Sequence, residues 1–266
     1  MSEPGGDRWE RGDAYERFVG RWSALLAVPF LDGLGVADGL DWLDVGCGTG
    51  ALTEAVLERC APASVVGVEP SAGFLGVAAE RLGGRAELLR GSADALPVPS
   101  ASRDAVVFGL VLNFVPDVQA ALAEAVRVAR PGGTIAAIVW DYGARMEFLR
   151  IFWDAAVELD QEAAALDEAV RFPLSDPRAL RRAFETAGLT GIVVRAIEVP
   201  TVFADFDDYW RPFLGGQGPA PSYVAGLDRA ALDRLRDHLI GHLPVADDGT
   251  IPLTAGAWAI SASRAW

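Results

Sequence analysis

From Leu40 onward the chain alternates two patterns: short, nearly all-apolar runs, and longer stretches whose apolar residues recur every three or four positions. The short runs are Leu40–Val45, Ser64–Val68, Ala86–Arg90, Ala105–Leu112 and Thr134–Trp140. Their near-continuous apolar character predicts strands covered on both faces. The stretches between them predict helices: Ala51–Cys60, one capped by Ser71 and running to about Leu82, and one capped by Asp117 and running to about Arg130. Gly91–Arg103 reads as a loop and Pro131-Gly132-Gly133 as a turn. Strands alternating with helices imply right-handed crossovers, hence a parallel sheet with helices on both faces.

After Tyr142 the alternation is interrupted. Met146–Leu159 reads as an amphipathic helix carrying Phe148, Phe152 and Trp153, followed by a helical stretch over Gln161–Val170. Asp176-Pro177 opens a helix that Gly188 stops, and Ile192–Val199 and Ala257–Ser263 are a sixth and a seventh strand. The roughly 57 residues between those strands are too many for a hairpin loop. They hold aromatic residues (Phe203, Phe206, Tyr209, Trp210, Phe213), a Gly/Pro stretch and a helix over Asp228–Leu243, which together predict a lid. A further helix follows Asp13 to about Pro29, with Phe18, Trp22, Leu25 and Leu26 on one stripe. The predicted organisation is a flap helix over 1–30, a core over 31–142, a helical cap over 143–175, a core helix and strand over 176–199, the lid over 200–256 and a last core strand over 257–266.

Composition narrows the partners. Of 266 residues 51% are hydrophobic and 23% charged, so a large core is affordable. The net charge of −14 and the absence of any basic run argue against a nucleic-acid surface. No apolar run approaches the ~20 residues of a membrane span, and the polar first residues do not read as a leader. Two cysteines make no disulfide framework, which predicts a reducing cytoplasm. Abundant Ala and Arg without a single Lys suggest a bacterial source rich in G and C.

The chemistry gathers at the strand ends. In Asp41-Trp42-Leu43-Asp44-Val45-Gly46-Cys47-Gly48-Thr49-Gly50-Ala51 an acid is followed by three glycines at alternate positions and a helix start. The glycines allow positive φ and close approach of a ligand, which the helix N-terminus faces with free N–H groups. Asp44 suits the amino or hydroxyl groups of a ligand and would repel a phosphate. Glu69, ending strand two, can accept both hydroxyls of a ribose; the plain alternative is a solvated strand-end acid. Asp94, after strand three, can accept an adenine amine, with the Ala93 and Ala95 N–H groups near the ring nitrogens; the plain alternative is a polar turn. Asn113 follows strand four, so four polar positions meet at the carboxyl ends of four strands, where open parallel sheets bind ligands. Gly46-x-Gly48-x-x-Ala51 also fits a dinucleotide fingerprint with an acid about 20 residues on. Hydride transfer with NAD is the weaker reading, because Asp44 would crowd a pyrophosphate.

These segments resemble the class I S-adenosylmethionine (SAM) dependent methyltransferases. Leu43–Gly50 is similar to their first motif, Val66–Ser71 to the second, Gly91–Pro97 to the adenine loop and Arg130–Thr134 to the turn before strand five. The resemblance is strong over about residues 40–142 and nearest the ubiquinone/menaquinone-type, small-molecule branch. It implies a Rossmann-like, seven-stranded, mostly parallel sheet with helices on both faces and a helical, aromatic lid. It implies SAM as cofactor, with Asp44, Gly46, Cys47, Gly48 and Gly50 at the methionine end. Glu69 would take the ribose, Pro70, Ser71, Ala93, Asp94 and Ala95 the adenine, and Asn113 and Phe114 would lie near the sulfonium. Tyr15-x5-Arg21 resembles a flap segment that would close over the cofactor, whereas read by itself it is a surface helix with one aromatic packed inward.

A methyl on a sulfonium is already activated, so a base is needed only for an acceptor that carries a proton. Candidates are His238, His242, Asp141, Tyr142 and Glu147. The two histidines share a helix face but lack a third ligand nearby, so no metal is expected. The expected activity is methyl transfer to a small, fairly apolar acceptor, in keeping with a biosynthetic enzyme. The alternative is a SAM-binding or regulatory protein of the same fold without catalysis.

Overall fold

A computed structural model describes residues 21–215 and 218–266, with Arg21 described by its backbone alone. The chain divides into two compact units. The larger comprises residues 23–140, 174–197 and 257–266, and the smaller, among described residues, takes in Trp22, 141–173 and 198–256.

The larger unit holds the sheet. Its strands are β1 (Asp41–Val45), β2 (Ser64–Glu69), β3 (Glu87–Arg90), β4 (Arg103–Gly109) and β5 (Ala129–Trp140), with β6 (Thr190–Phe203) and β7 (Ile251–Ser263) each leaving the unit part-way along. The order is β3-β2-β1-β4-β5-β7-β6. Strands β1 to β5 pair in parallel, and β7 lies antiparallel to β5 from Thr134↔Ser263 to Trp140↔Ala257. The sheet is therefore mixed, mostly parallel. The order reverses at β1, whose neighbours are β2 on one side and β4 on the other, so a crevice opens at its carboxyl end.

Helices α1 (Arg21–Asp32), α2 (Ala51–Arg59), α3 (Ala72–Leu82) and α4 (Val118–Val128) precede or link these strands, and α7 (Pro177–Thr186) precedes β6. Side chains cap them as their sequences predict: Ser71 Oγ accepts the Phe74 N–H, Asp117 the Ala120 N–H, and Asp176 the Arg178 and Ala179 N–H groups. Leu43, Val45, Val66, Val106, Phe108 and Val139 of the strands pack with Leu122 and Ala125 of α4 and Leu180 and Phe184 of α7 in one core.

Several boundaries differ from expectation. The apolar run through Leu112 is not all strand. β4 stops at Gly109, Leu110 turns left-handed (φ +60°), and a short 3-10 turn covers Leu112–Phe114. Pro131-Gly132-Gly133 lies inside β5, at a register shift opposite Arg103 and Ala105. α1 runs through Pro29 to Asp32, and the Arg195 guanidinium donates to the Pro29 and Phe30 carbonyls at 2.7 and 2.9 Å. β6 and β7 extend past Pro200 and Pro252, both exposed on their strands.

The smaller unit is built from α5 (Glu147–Leu159), α6 (Glu168–Arg171), α8 (Phe206–Trp210), α9 (Pro219–Gly226), α10 (Arg229–His242) and the outer parts of β6 and β7. The stretch expected as one helix over Gln161–Val170 is a 3-10 turn, Gln161–Leu166, followed by α6. Phe148, Phe152, Phe203, Tyr209 and Phe213 are fully buried, and Phe152 stacks on Phe213 at 4.3 Å. The Tyr209 hydroxyl donates to the Phe148 carbonyl at 2.9 Å. Glu168 is buried among them; one oxygen accepts the Trp153 indole N–H and the other the Ala220 N–H at 3.3 Å. Burial pushes its carboxyl up to about 7. These rings fill one another's faces as a core does, and each offset pair adds ~0.5–1.5 kcal/mol beyond area burial.

Candidate active site

The site is assembled at the carboxyl end of β1. There Gly46, Gly48 and Gly50 all take positive φ (69°, 54° and 86°). The Gly46 and Cys47 N–H groups both donate to the Val68 carbonyl, at 2.7 and 3.1 Å, which folds the turn back over the end of β2. Gly50 then opens α2, its carbonyl accepting the Glu54 N–H at 2.8 Å. The glycines do different jobs. A Cβ on Gly46 would stand 2.5 Å from Val111 Cγ2, and one on Gly50 3.3 Å from the Ala78 Cβ. A Cβ on Gly48 would meet nothing within 4 Å, so the bare backbone there borders open space. Cys47 is buried against Gly67, and burial pushes its thiol far above the usual range, so it is no nucleophile.

Asp44 sits one residue before the end of β1, 1% exposed, opposite Gly67 of β2 and Val107 of β4. Its Oδ2 accepts the Thr53 hydroxyl at 2.7 Å, while its Oδ1 is buried with no hydrogen-bond partner. Burial, reinforced by the nearby Glu69 charge, pushes its carboxyl up to about 7 against the pull of Thr53. Glu69, also buried, ends β2; Oε2 accepts the Gly48 N–H at 3.2 Å and Oε1 the Ser71 N–H at 2.9 Å. Burial raises its carboxyl too, partly offset by those two N–H groups. Two carboxylates thus flank one glycine turn, an arrangement that favours a cationic or hydroxyl-bearing ligand and disfavours a pyrophosphate.

The Gly91 N–H donates to the Glu69 carbonyl at 3.4 Å, which joins the loop after β3 to the end of β2. On that loop Asp94 is exposed and accepts the Ser92 hydroxyl at 2.5 Å, and the Ala95 N–H is committed to the Ser92 carbonyl at 3.2 Å. Asn113 follows β4 on the 3-10 turn, and its Oδ1 is buried without a partner. Phe114 beside it is half-buried. Leu110 just upstream is left-handed while its N–H reaches the Ile138 carbonyl at 2.9 Å; for a bulky residue that conformation costs ~1–3 kcal/mol.

The remaining candidates lie outside the larger unit or outside the described residues. Tyr15 lies outside the described residues, as does the Arg21 side chain. Asp141, Tyr142, Glu147, His238 and His242 belong to the smaller unit. Asp141 accepts the Ala144 N–H at 3.0 Å and faces Arg145 Nε at 3.6 Å, which is a turn-forming role; burial raises its carboxyl. Tyr142 packs on Phe172, Glu147 accepts the Thr254 N–H at 2.6 Å, and His238 stacks on His242 while facing Glu158 at 3.1 Å. Among the described residues no group of three His, Cys, Asp or Glu side chains could hold a metal ion. Thr53 was not anticipated. Its only signal in the sequence is a β-branched hydroxyl three residues into the helix that follows the turn.

Strand order, glycine turn and paired strand-end carboxylates define a Rossmann-like cofactor-binding core. Comparison with known proteins narrows the class. Residues 43–137 match the family model described as a methyltransferase domain. The chain is 31% identical to demethylmenaquinone methyltransferase of Staphylococcus aureus over 61% of its own length and 73% of that protein's. It is 36% identical to malonyl-(acyl-carrier protein) O-methyltransferase of Serratia marcescens over 46% of its length, spanning about half (49%) of that relative. Phosphoethanolamine N-methyltransferase 2 of Haemonchus contortus, solved with phosphomonomethylethanolamine and S-adenosylhomocysteine, shares the fold (TM-score 0.58, 17% identity, 96% of this chain and 57% of that one). The chain belongs to the SAM-dependent methyltransferases. Among the described residues no helix is long and apolar enough to cross a membrane.

Proposed function

We propose that this protein transfers the methyl group of SAM to a small-molecule acceptor in the cytoplasm. The observation that carries the reading is the buried Asp44 Oδ1, an acceptor without a partner on the strand that leads into the glycine turn, where the Glu69 charge is felt and the Gly48 backbone borders open space. A buried carboxylate oxygen left unpaired is costly unless a ligand completes it, and the cationic methionine end of SAM is a matching donor. In this reading Asp44 and the turn from Gly46 to Gly50 hold that end, Glu69 accepts the ribose hydroxyls, and Pro70, Ser71, Ala93 and Asp94 border the adenine. Of the two alanine N–H groups on the loop, Ala93's is the one assigned to the adenine. Asn113, whose Oδ1 is also buried without a partner, would lie near the reacting end together with Phe114. SAM supplies a methyl already activated on its sulfonium, so the protein's main contribution is to align an acceptor and exclude water.

The names of the Staphylococcus and Serratia relatives give demethylmenaquinone and malonyl-(acyl-carrier protein) as what they methylate, which supports an organic acceptor here. The test is incubation of the purified chain with labelled SAM and a panel spanning hydroxyquinones, carboxylate thioesters and small amines. Formation of S-adenosylhomocysteine with one class identifies the acceptor. Tight SAM binding with no turnover on any class would favour the SAM-binding, non-catalytic alternative, and NAD binding without SAM binding would overturn the reading.

A further inference from the structure

Thr53 is fully buried at the third position of α2, nine residues beyond Asp44. A helical threonine commonly bonds back to the carbonyl four residues earlier. Thr53 instead gives its hydroxyl proton to Asp44 Oδ2 on β1, at 2.7 Å. Its backbone N–H, one of the donors that a helix's first turn leaves unsatisfied, bears on the same carboxylate. One carboxylate oxygen is thereby secured from α2, and the other, Oδ1, is buried and unpartnered. We infer that Thr53 is a positioning residue for the cofactor: by holding Oδ2 it fixes the rotation of the Asp44 carboxylate so that Oδ1 is the oxygen presented to the cationic amino-acid end of SAM. This rests on the assignment of Asp44 to that end of the cofactor.

The surroundings give the role a pH signature. The titratable groups near Asp44 are Glu69 from β2 and Cys47 from the turn; α2 faces it with Thr53, and β4 contributes Val107 in register. Thr53 is the principal group pulling the Asp44 carboxyl down against burial and the Glu69 charge. Without its hydroxyl that carboxyl moves up, and a larger share is protonated near neutrality.

The experiment is calorimetric titration of the whole chain, of Thr53→Val and of Thr53→Ser, from about pH 6 to about pH 9. Two ligands are used: SAM, and 5′-methylthioadenosine, which keeps the adenosyl group and lacks the amino acid. Thr53→Val should weaken SAM about tenfold near neutral pH, the loss shrinking toward the alkaline end, while Thr53→Ser stays within about twofold of wild type. Methylthioadenosine should bind all three chains within about twofold. Unchanged SAM affinity in Thr53→Val, equal losses for both ligands, or failure of Thr53→Ser to restore binding would each overturn the role. Thr53→Ala carries the same expectations if Thr53→Val does not fold. A wild-type chain that binds neither ligand overturns the cofactor-site reading itself, whereas normal wild-type binding with an indifferent Thr53→Val overturns only this inference.

Discussion

Glu69 Oε2 accepts the Gly48 N–H at 3.2 Å, so the acid that ends β2 holds the middle of the turn that ends β1. Its other oxygen, on Ser71, steadies the start of α3. One carboxylate thus ties the glycine turn to the start of α3.

Glu69→Ala therefore removes a brace of the turn and, on the proposed function, the acceptor of the ribose hydroxyls. SAM affinity should fall by about 1–3 kcal/mol, the scale of a lost charged hydrogen bond. Glu69→Gln, which keeps one acceptor oxygen, should lose less. Calorimetry decides, and an unaltered dissociation constant for Glu69→Ala would remove Glu69 from the site.

The glycines separate packing from binding. Gly46→Ala forces a left-handed alanine into Val111, so it should destabilise the fold by about 2–4 kcal/mol. Gly48→Ala meets no protein atom and should cost only ~1–2 kcal/mol of stability, from backbone strain. On the proposed function its methyl would enter the space left for the cofactor, so SAM binding should suffer more than stability. Thermal melts paired with SAM titrations distinguish the two variants.

Stability should respond to pH through Asp44. An unfolded aspartate titrates near ~3.9, whereas Asp44 titrates at about 7. Between those values the folded chain keeps a proton that the unfolded chain has released. Stability therefore falls as pH rises from about 4 to about 7, by up to ~4 kcal/mol from this group. Glu168, also raised to about 7, adds a fall of the same sign. Asp44→Asn should remove about half of the slope between about pH 4.5 and about pH 7.5 in denaturant midpoints. An undiminished slope would show that Asp44 is ionised in the fold.

Glu168 makes a separate prediction for the smaller unit. Glu168→Ala strands the Trp153 indole N–H and the Ala220 N–H, at about 1–3 kcal/mol each. Glu168→Gln retains an acceptor and sheds a buried charge, so above about pH 8 it should match or exceed wild-type stability. Unfolding followed by tryptophan fluorescence reads both, and equal melting of Glu168→Ala and wild type would contradict this account.

What was legible in the sequence was what local chemistry decides. Ser71, Asp117 and Asp176 cap the helices that the sequence predicts they cap, because a side-chain oxygen meeting an orphan N–H is a short-range event. The positions of Asp44 and Glu69 were legible because each acid comes at or beside the close of an apolar run, next to a turn signal. The end of β4 was not: Gly109 through Leu112 is an unbroken apolar run, and the left-handed Leu110 has its partner, the Ile138 carbonyl, on a neighbouring strand remote in sequence. The outer parts of β6 and β7 were hidden by Pro200 and Pro252, which look like stops. Both sit at exposed positions, Pro252 before β7 begins its pairing with β5 at Ala257. Thr53 escaped notice because its importance lies in a partner nine residues away on another element.

The chain stays within the larger unit from Ser23 to Trp140 before its first excursion, and every described residue assigned to SAM falls between Asp44 and Phe114. The proposed cofactor-binding residues thus form a contiguous cassette. Recombination at the later junctions, near Trp140, Ile197 and Ala257, could exchange the remainder of the protein and leave that cassette uncut.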